Sequence, residues 1–116
     1  MKRDYRLYIN DILEANEKIE KYTKEFTSEK LAQNEMTIDA VVRNFGIIGE
    51  ATKNVPIEIR KKYPEIPWRE MARMRDKLIH EYFGVNVEIL WKTIKEDLPP
   101  VKPLIKKVLK ELSKKT

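Results

Sequence analysis

Residues 37–54 read TIDAVVRNFGIIGEATKN, and this stretch decides the fold because apolar side chains recur on most sides of the helix that its spacing predicts. A helix that is apolar almost all round is buried in the centre of a bundle or at a subunit interface. Gly46 and Gly49 each cost about 1 kcal/mol against alanine inside a helix, so we expect a neighbouring backbone to approach closely there. The sequence therefore predicts a central helix around which the rest of the chain packs.

Amphipathic stretches on both sides of this central helix supply its packing partners. Before it, an apolar stripe at three- and four-residue steps predicts a helix over residues 5–26, with Asp4 as its N-cap. A polar connection over 27–36 has room for one helical turn. After it, prolines bracket a short helix at 57–63, and helical spacing then predicts one longer helix over about 68–83.

The C-terminal part is predicted to form a last long helix, which begins at Val87 with Asn86 as its N-cap. The Pro99–Pro100 pair is expected to kink it. No stretch shows the alternation of a β-strand, and no internal repeat is visible. We therefore predict an all-α, up-down bundle of four long helices plus a short one, formed as a single domain by residues 1–116.

The composition narrows the classes of function. Hydrophobic residues make up 41% of the chain and charged residues 37%, a balance that excludes a disordered protein. Cysteine is absent and His80 is the single histidine, so disulfides, thiolate chemistry and metal sites with two imidazoles from one chain are excluded. We expect no metal and no cofactor. We also expect a cytoplasmic protein without membrane contact, because no apolar run approaches the ~20 residues of a membrane span.

The positive net charge of the chain is concentrated in two segments. Residues 60–77 carry seven basic and three acidic side chains, and residues 102–116 carry six and one. For 102–116 we expect a solvated lysine face. For 60–77 the excess favours attraction to a polyanion such as RNA, because the candidate chemistry lies inside this segment.

The stretch MRDKLIHEYF, at residues 74–83, holds side chains that could act on RNA. Arg75 is a fixed cation whose planar donors suit a phosphate. His80 carries the side chain that most readily exchanges a proton near neutral pH. Cleavage of RNA without a metal needs both kinds of group: one to move the proton of the 2′-hydroxyl or of the leaving oxygen, and a cation for the charge on the phosphoryl oxygens.

Helix geometry leaves the relation between these residues open. In a continuous helix Arg75 and His80 point about 140° apart, whereas Arg75 and Tyr82 share a face and Asp76 can pair with His80. Arg75 could swing toward His80, the helix could end near His80, or a two-fold dimer could present two copies of the segment to each other. His80 could equally be a structural residue that is held by Asp76 and the helix dipole.

Arg75-x4-His80-x-Tyr82 resembles the RxxxxHxY signature of the HEPN superfamily, and specifically of the HepT-like toxins. The flanking sequence is similar to the family's stretches and follows them in order. These stretches are AVVRNFGIIGEA at 40–51, IPW at 66–68, MRDKLIHEYFGV at 74–85 and LWKTIKEDLP at 90–99. The resemblance covers nearly the whole chain.

This resemblance implies a metal-independent endoribonuclease toxin, a helical bundle that forms a homodimer in which two Arg-His motifs line one cleft. It implies that Arg75 stabilises the phosphoryl charge, that His80 is the general acid/base and that Asp76 orients the site. Tyr82 matches the tyrosine to which a partner nucleotidyltransferase antitoxin transfers AMP. The alternative is a non-catalytic helical binding subunit of a nucleotidyltransferase, and RNA cleavage by the purified protein discriminates between the two.

Overall fold

The computed structural model describes residues 3–80 and 84–114, with residues 79 and 80 described by their backbone alone. This part of the chain is mostly helical, which confirms the predicted fold class. The helices are α1 (Tyr5–Thr23), α2 (Ser28–Ala32), α3 (Glu35–Lys53), α4 (Ile57–Lys62), α5 (Trp68–Ala72), α6 (Met74–Leu78), α7 (Val87–Lys92) and α8 (Val101–Ser113). A π-helical stretch, Thr93–Asp97, follows α7, and two short strands, β1 (Ile79–His80) and β2 (Gly84–Val85), pair antiparallel.

Helices α1 and α3 form the most extensive contact between elements, and the core lies along their seam. Their fully buried side chains are Ile9, Ile12, Ile19, Val41, Phe45 and Ile48. Burial of an apolar side chain of this size contributes about 1.5–3 kcal/mol. Helix α8 packs on α1 through an apolar stripe, and Lys102 of α8 pairs with Glu20 of α1 at 2.8 Å. The prediction of a central helix over 37–54 is confirmed.

Side-chain caps fix where several helices begin. The Asp4 carboxylate accepts a hydrogen bond from the Arg6 amide at 2.9 Å, and the Asn86 side-chain oxygen accepts one from the Ile89 amide at 3.1 Å. Such caps satisfy amides that have no partner within the helix. Both predicted N-caps are therefore confirmed.

The predicted single helix over 68–83 is wrong. Helix α5 ends at Ala72, α6 spans only Met74–Leu78, and the chain then enters β1. The Asn86 amide donates to the Leu78 carbonyl at 3.1 Å, so a hydrogen bond from outside the helix satisfies the end of α6. Within the described residues, three helices rather than four have 13 residues or more.

The predicted last helix is also divided. The Leu98 amide donates to the Thr93 carbonyl at 2.9 Å, five residues back, which gives the wider π-helical turn. Leu98 and the two prolines after it lie outside the helices, and α8 begins at Val101. The missing amide hydrogens of Pro99 and Pro100 account for the interruption. No helix in the described ranges is long and apolar enough to cross a membrane.

Candidate active site

Arg75 lies on the exposed side of α6, with the stem of its side chain against α3. Its Cδ would be 3.2 Å from a Cβ atom at Gly46, so any side chain at position 46 would crowd it. The glycine therefore leaves a place on α3 for the arginine stem. Arg75 itself remains exposed to solvent, where its guanidinium can meet a phosphate.

Gly49 makes a second close contact, one helical turn further along α3. A Cβ there would be 3.2 Å from the carbonyl oxygen of Ala72 in α5. The predicted approach of a neighbouring backbone is thus confirmed at Gly49, whereas at Gly46 the close neighbour is the side chain of Arg75. Together the two glycines allow α5 and α6 to lie close on α3.

The chain leaves the helix before His80. Residues Ile79 and His80 pair with Val85 and Gly84 respectively, and Gly84 has a φ of +74°, a left-handed conformation that favours glycine. Of the arrangements left open by the sequence, the structure therefore has a helix that ends close to His80. The helical spacing between Asp76 and His80 does not hold, because α6 ends at Leu78. Their pairing stays a prediction, since the side chain of His80 lies outside the described residues.

The predicted shared face of Arg75 and Tyr82 stays a prediction. Tyr82 lies outside the described residues, as does the side chain of His80. The structure thus places Arg75 and Asp76 and the backbone of His80. No hydrogen bond or ion pair joins Arg75 to Asp76.

Asp76 lines a cleft of about 810 Å³, which we call the acidic cleft, between the α5–α6 segment, the π-helical stretch and the start of α8. Five carboxylates and two cations line it: Glu65, Glu70, Asp76, Glu96, Asp97, Arg73 and Lys77. One pair of these, Lys77 and Asp97, forms an exposed ion pair at 3.4 Å. Apolar atoms of Met74, Val101 and Leu104 complete the lining.

A second depression of about 600 Å³, which we call the basic groove, lies between α4 and α5. Four cations and one carboxylate line it: Arg60, Lys61, Arg69, Arg73 and Glu70. Sequence reasoning found the positive excess of 60–77 but missed the acidic cleft, because Glu96 and Asp97 come from a distant segment. Only the fold brings those carboxylates to the positive segment.

The segment between α4 and α5 is fixed by two aromatic residues. The Trp68 indole donates to the Tyr63 carbonyl at 3.0 Å, and both side chains are buried. Burial, with the nearby Glu111 carboxylate, raises the pKa of Tyr63 to about 12. The Tyr63 hydroxyl has no hydrogen bond of good geometry, so it lies against Glu111 rather than being tightly bound to it.

In the described ranges, no three His, Asp or Glu side chains form a cluster that could hold a metal ion.

The sequence is similar to proteins of one family. The family model described as Ribonuclease HepT-like matches residues 12–108. A Thermococcus cleftensis protein named "Probable ribonuclease HepT" is 54% identical over 95% of this chain and 100% of its own length. A Caldanaerobacter subterraneus protein named "Putative RNase" is 42% identical over 91% of this chain and 95% of its own length.

A similar sequence also forms part of a longer protein. A Methanocaldococcus jannaschii protein named "Gamma-glutamylcyclotransferase and putative RNase" is 47% identical over 98% of this chain. The chain spans about half of that protein, 51% of its length. No solved structure matches the chain significantly.

Proposed function

The chain belongs to the HepT-like ribonuclease family, and from this premise we propose that it is a metal-independent endoribonuclease toxin that acts in the cytoplasm. The observation that carries the proposal is the place of Arg75. Its side chain is exposed and its stem lies on α3 at Gly46, next to the point where the chain leaves α6 and runs on to His80. This supports the proposal, because a cation that could meet the phosphate lies on the short helix that leads to His80.

In the proposed reaction, His80 removes the proton of the 2′-hydroxyl and the 2′-oxygen attacks the phosphorus. The bond from phosphorus to the 5′-oxygen breaks, and His80 of the partner subunit donates a proton to that leaving oxygen. Arg75 stabilises the negative charge that grows on the phosphoryl oxygens. Asp76, the residue after Arg75 in the motif, would orient the site.

The reaction asks for two histidines, and one chain has a single one, so we propose a homodimer of one domain per chain. The support comes from α3, where Ile38 and Val42, which lie on one side of the helix, stay half-buried instead of fully covered. In a two-fold dimer the same face meets itself, and both copies of the motif can line one cleft.

We propose that Tyr82 is the residue through which the activity is controlled. The proposal rests on its place in the motif, two residues after His80. A partner nucleotidyltransferase antitoxin would transfer AMP to its hydroxyl, which adds bulk and negative charge where the phosphate of the RNA binds.

The test is cleavage of a defined RNA by purified, unmodified protein, with and without EDTA. We expect cleavage in both conditions, and a loss of about 10²–10⁴ in rate for His80→Ala, the usual effect of removing a general acid/base. Circular dichroism of this variant checks that the helices persist. A wild-type rate in the variant would contradict the mechanism, and inhibition by EDTA would contradict the metal-free chemistry.

Co-expression with the nucleotidyltransferase tests the control. Mass spectrometry should find AMP on Tyr82, and the modified protein should not cleave RNA. The Tyr82→Phe variant is the matched control, since it keeps the ring but has no acceptor hydroxyl. Stable binding of the nucleotidyltransferase by a chain that never cleaves RNA would instead support the non-catalytic binding subunit.

A further inference from the structure

We propose that the basic groove binds a single strand of RNA and leads it to Arg75. The inference rests on the proposed ribonuclease function and adds the path by which the substrate reaches the site. The groove lies between α4 and α5 and is lined by Arg60, Lys61, Arg69 and Arg73.

The charge of the groove suits a polyanion. Lys61, Arg69 and Arg73 are exposed, and in the part of the chain that the structure describes they make no side-chain hydrogen bond or ion pair. Arg60 is more restricted because its Nε donates to the Val55 carbonyl at 3.1 Å, which directs the side chain without neutralising it. Glu70 is the one carboxylate among the residues that line this groove.

The lining of the groove includes Ala72 and Arg73, and Arg75 follows two positions later in the chain. Ala72 forms one edge of the groove and contacts α3 at Gly49, whereas Arg75 contacts α3 at Gly46. Three residues of a helix span about 4.5 Å, so the two contacts lie side by side along α3. The proposed path leaves the groove past Ala72 and runs along α3 to the Arg75 guanidinium.

The acidic cleft bounds this path on its other side. Pro67, Glu70 and Arg73 belong to the linings of both depressions, and they form a ridge between the two. Beyond the ridge the carboxylates outnumber the cations, so phosphates are repelled there. The strand is thus confined to the α4 side of the ridge.

The lining also indicates the mode of binding. Its one aromatic residue, Trp68, is buried and donates its N–H to Tyr63, so no ring is exposed for a base to stack on. Binding should depend on phosphate contacts and be steeply weakened by salt.

The experiment measures binding of a fluorescent single-stranded RNA to the inactive His80→Ala protein over a range of salt concentrations. The groove variant adds Lys61→Gln, Arg69→Gln and Arg73→Gln. The control adds Lys106→Gln, Lys107→Gln and Lys110→Gln on the exposed face of α8, which removes the same charge. We expect the slope of log K against log salt concentration to become less steep by about 2 in the groove variant. The affinity of this variant for RNA should be roughly 100-fold weaker at 0.1 M salt. The control should lose much less.

If the groove variant and the control lose the same RNA affinity, the basic groove does not bind the strand. The proposed ribonuclease function would still stand if the wild-type protein cleaves RNA. A wild type that neither binds nor cleaves RNA would contradict both. If the groove variant binds RNA normally but no longer binds the nucleotidyltransferase, the groove belongs to a protein partner and the RNA path is wrong. Should the triple variant fail to fold, Arg69→Gln alone is expected to lower the slope by about 0.7.

Discussion

The basic groove and the acidic cleft adjoin, share three lining residues and have opposite charge. Four cations face one carboxylate in the groove, whereas five carboxylates face two cations in the cleft. Residues 60–77 contribute to both surfaces, and basic side chains outnumber acidic ones in this segment. The sign of a surface thus depends on which side chains of a segment face it and on which distant residues the fold adds. Three carboxylates of this segment already outnumber its two cations in the cleft, and Glu96 and Asp97 increase that excess.

The comparison also assigns the two cations of α6 to different sides. Arg75 lies on α3 at Gly46, whereas Lys77 reaches Asp97 in the cleft. Two exposed cations only two residues apart therefore have different neighbours. This difference is the basis for testing which side carries the chemistry.

The largest effect is expected from Arg75→Ala. We expect RNA cleavage to fall by about 10²–10⁴, because no other cation replaces the guanidinium at the phosphate. The matched control is Lys77→Ala, which removes one exposed ion pair worth less than about 1 kcal/mol and should leave cleavage unchanged. Single-turnover assays of RNA cleavage measure the rates of the two variants. Equal losses in the two variants would show that general positive charge on α6, and not the side on which it lies, determines the activity.

A smaller effect is expected when the two glycines of α3 are exchanged for alanine. At Gly46 the added Cβ meets the Arg75 side chain, which can move, so Gly46→Ala should keep or raise the melting temperature while cleavage falls roughly tenfold. At Gly49 it meets the Ala72 carbonyl, which belongs to the backbone, so Gly49→Ala should lose about 1–3 kcal/mol of stability. The reverse pattern in thermal melting and cleavage assays would contradict these contacts.

Asn86→Ala tests the side of the acidic cleft that the π-helical stretch forms. Asn86 is the N-cap of α7, and α7 runs directly into that stretch. The loss of the bond to the Ile89 amide should reduce the free energy of unfolding by about 1 kcal/mol in a urea titration. Asn10→Ala is the control, because the Asn10 side chain makes only a long, exposed hydrogen bond of 3.4 Å to Glu14. RNA binding by the groove should be unchanged, and a weaker affinity would mean that the two sides are coupled.

The smallest effect concerns Tyr63, in the segment that joins α4 to α5. Its pKa is raised to about 12 in the folded protein, above about 10 in the unfolded chain, so its contribution to stability is complete below pH 10 and is lost as the pH rises toward 12. Tyr63→Phe should change the unfolding free energy little at pH 7 and reduce its fall above pH 10. Urea titrations at pH 7 and pH 11 measure this. An equally steep alkaline fall in the variant would assign that fall to other groups.

Much of the frame could be predicted from the sequence because it depends on local patterns. The apolar spacing of 37–54 gives α3, and the short polar side chains of Asp4 and Asn86 give N-caps. The close contact at Gly49 could be predicted because glycine destabilises a helix interior relative to alanine, and close packing of a neighbouring backbone offsets that cost.

The end of α6 could not be predicted in the same way. Met71, Met74 and Leu78 keep helical spacing, and all three are buried, so the local pattern favours a continuing helix. The chain leaves the helix because β1 pairs with β2 and because the Asn86 amide reaches the Leu78 carbonyl. These are tertiary contacts, which periodicity does not record.

The place of Arg75 on Gly46 has a consequence for the conformational entropy of the site. Freezing the rotamers of a long side chain such as arginine costs up to about 2 kcal/mol. Because the Arg75 stem already lies on α3 in the native protein, part of this loss accompanies folding and no longer opposes substrate binding. In the proposed reaction, Gly46 would thereby make Arg75 a pre-ordered ligand for phosphate without touching RNA itself.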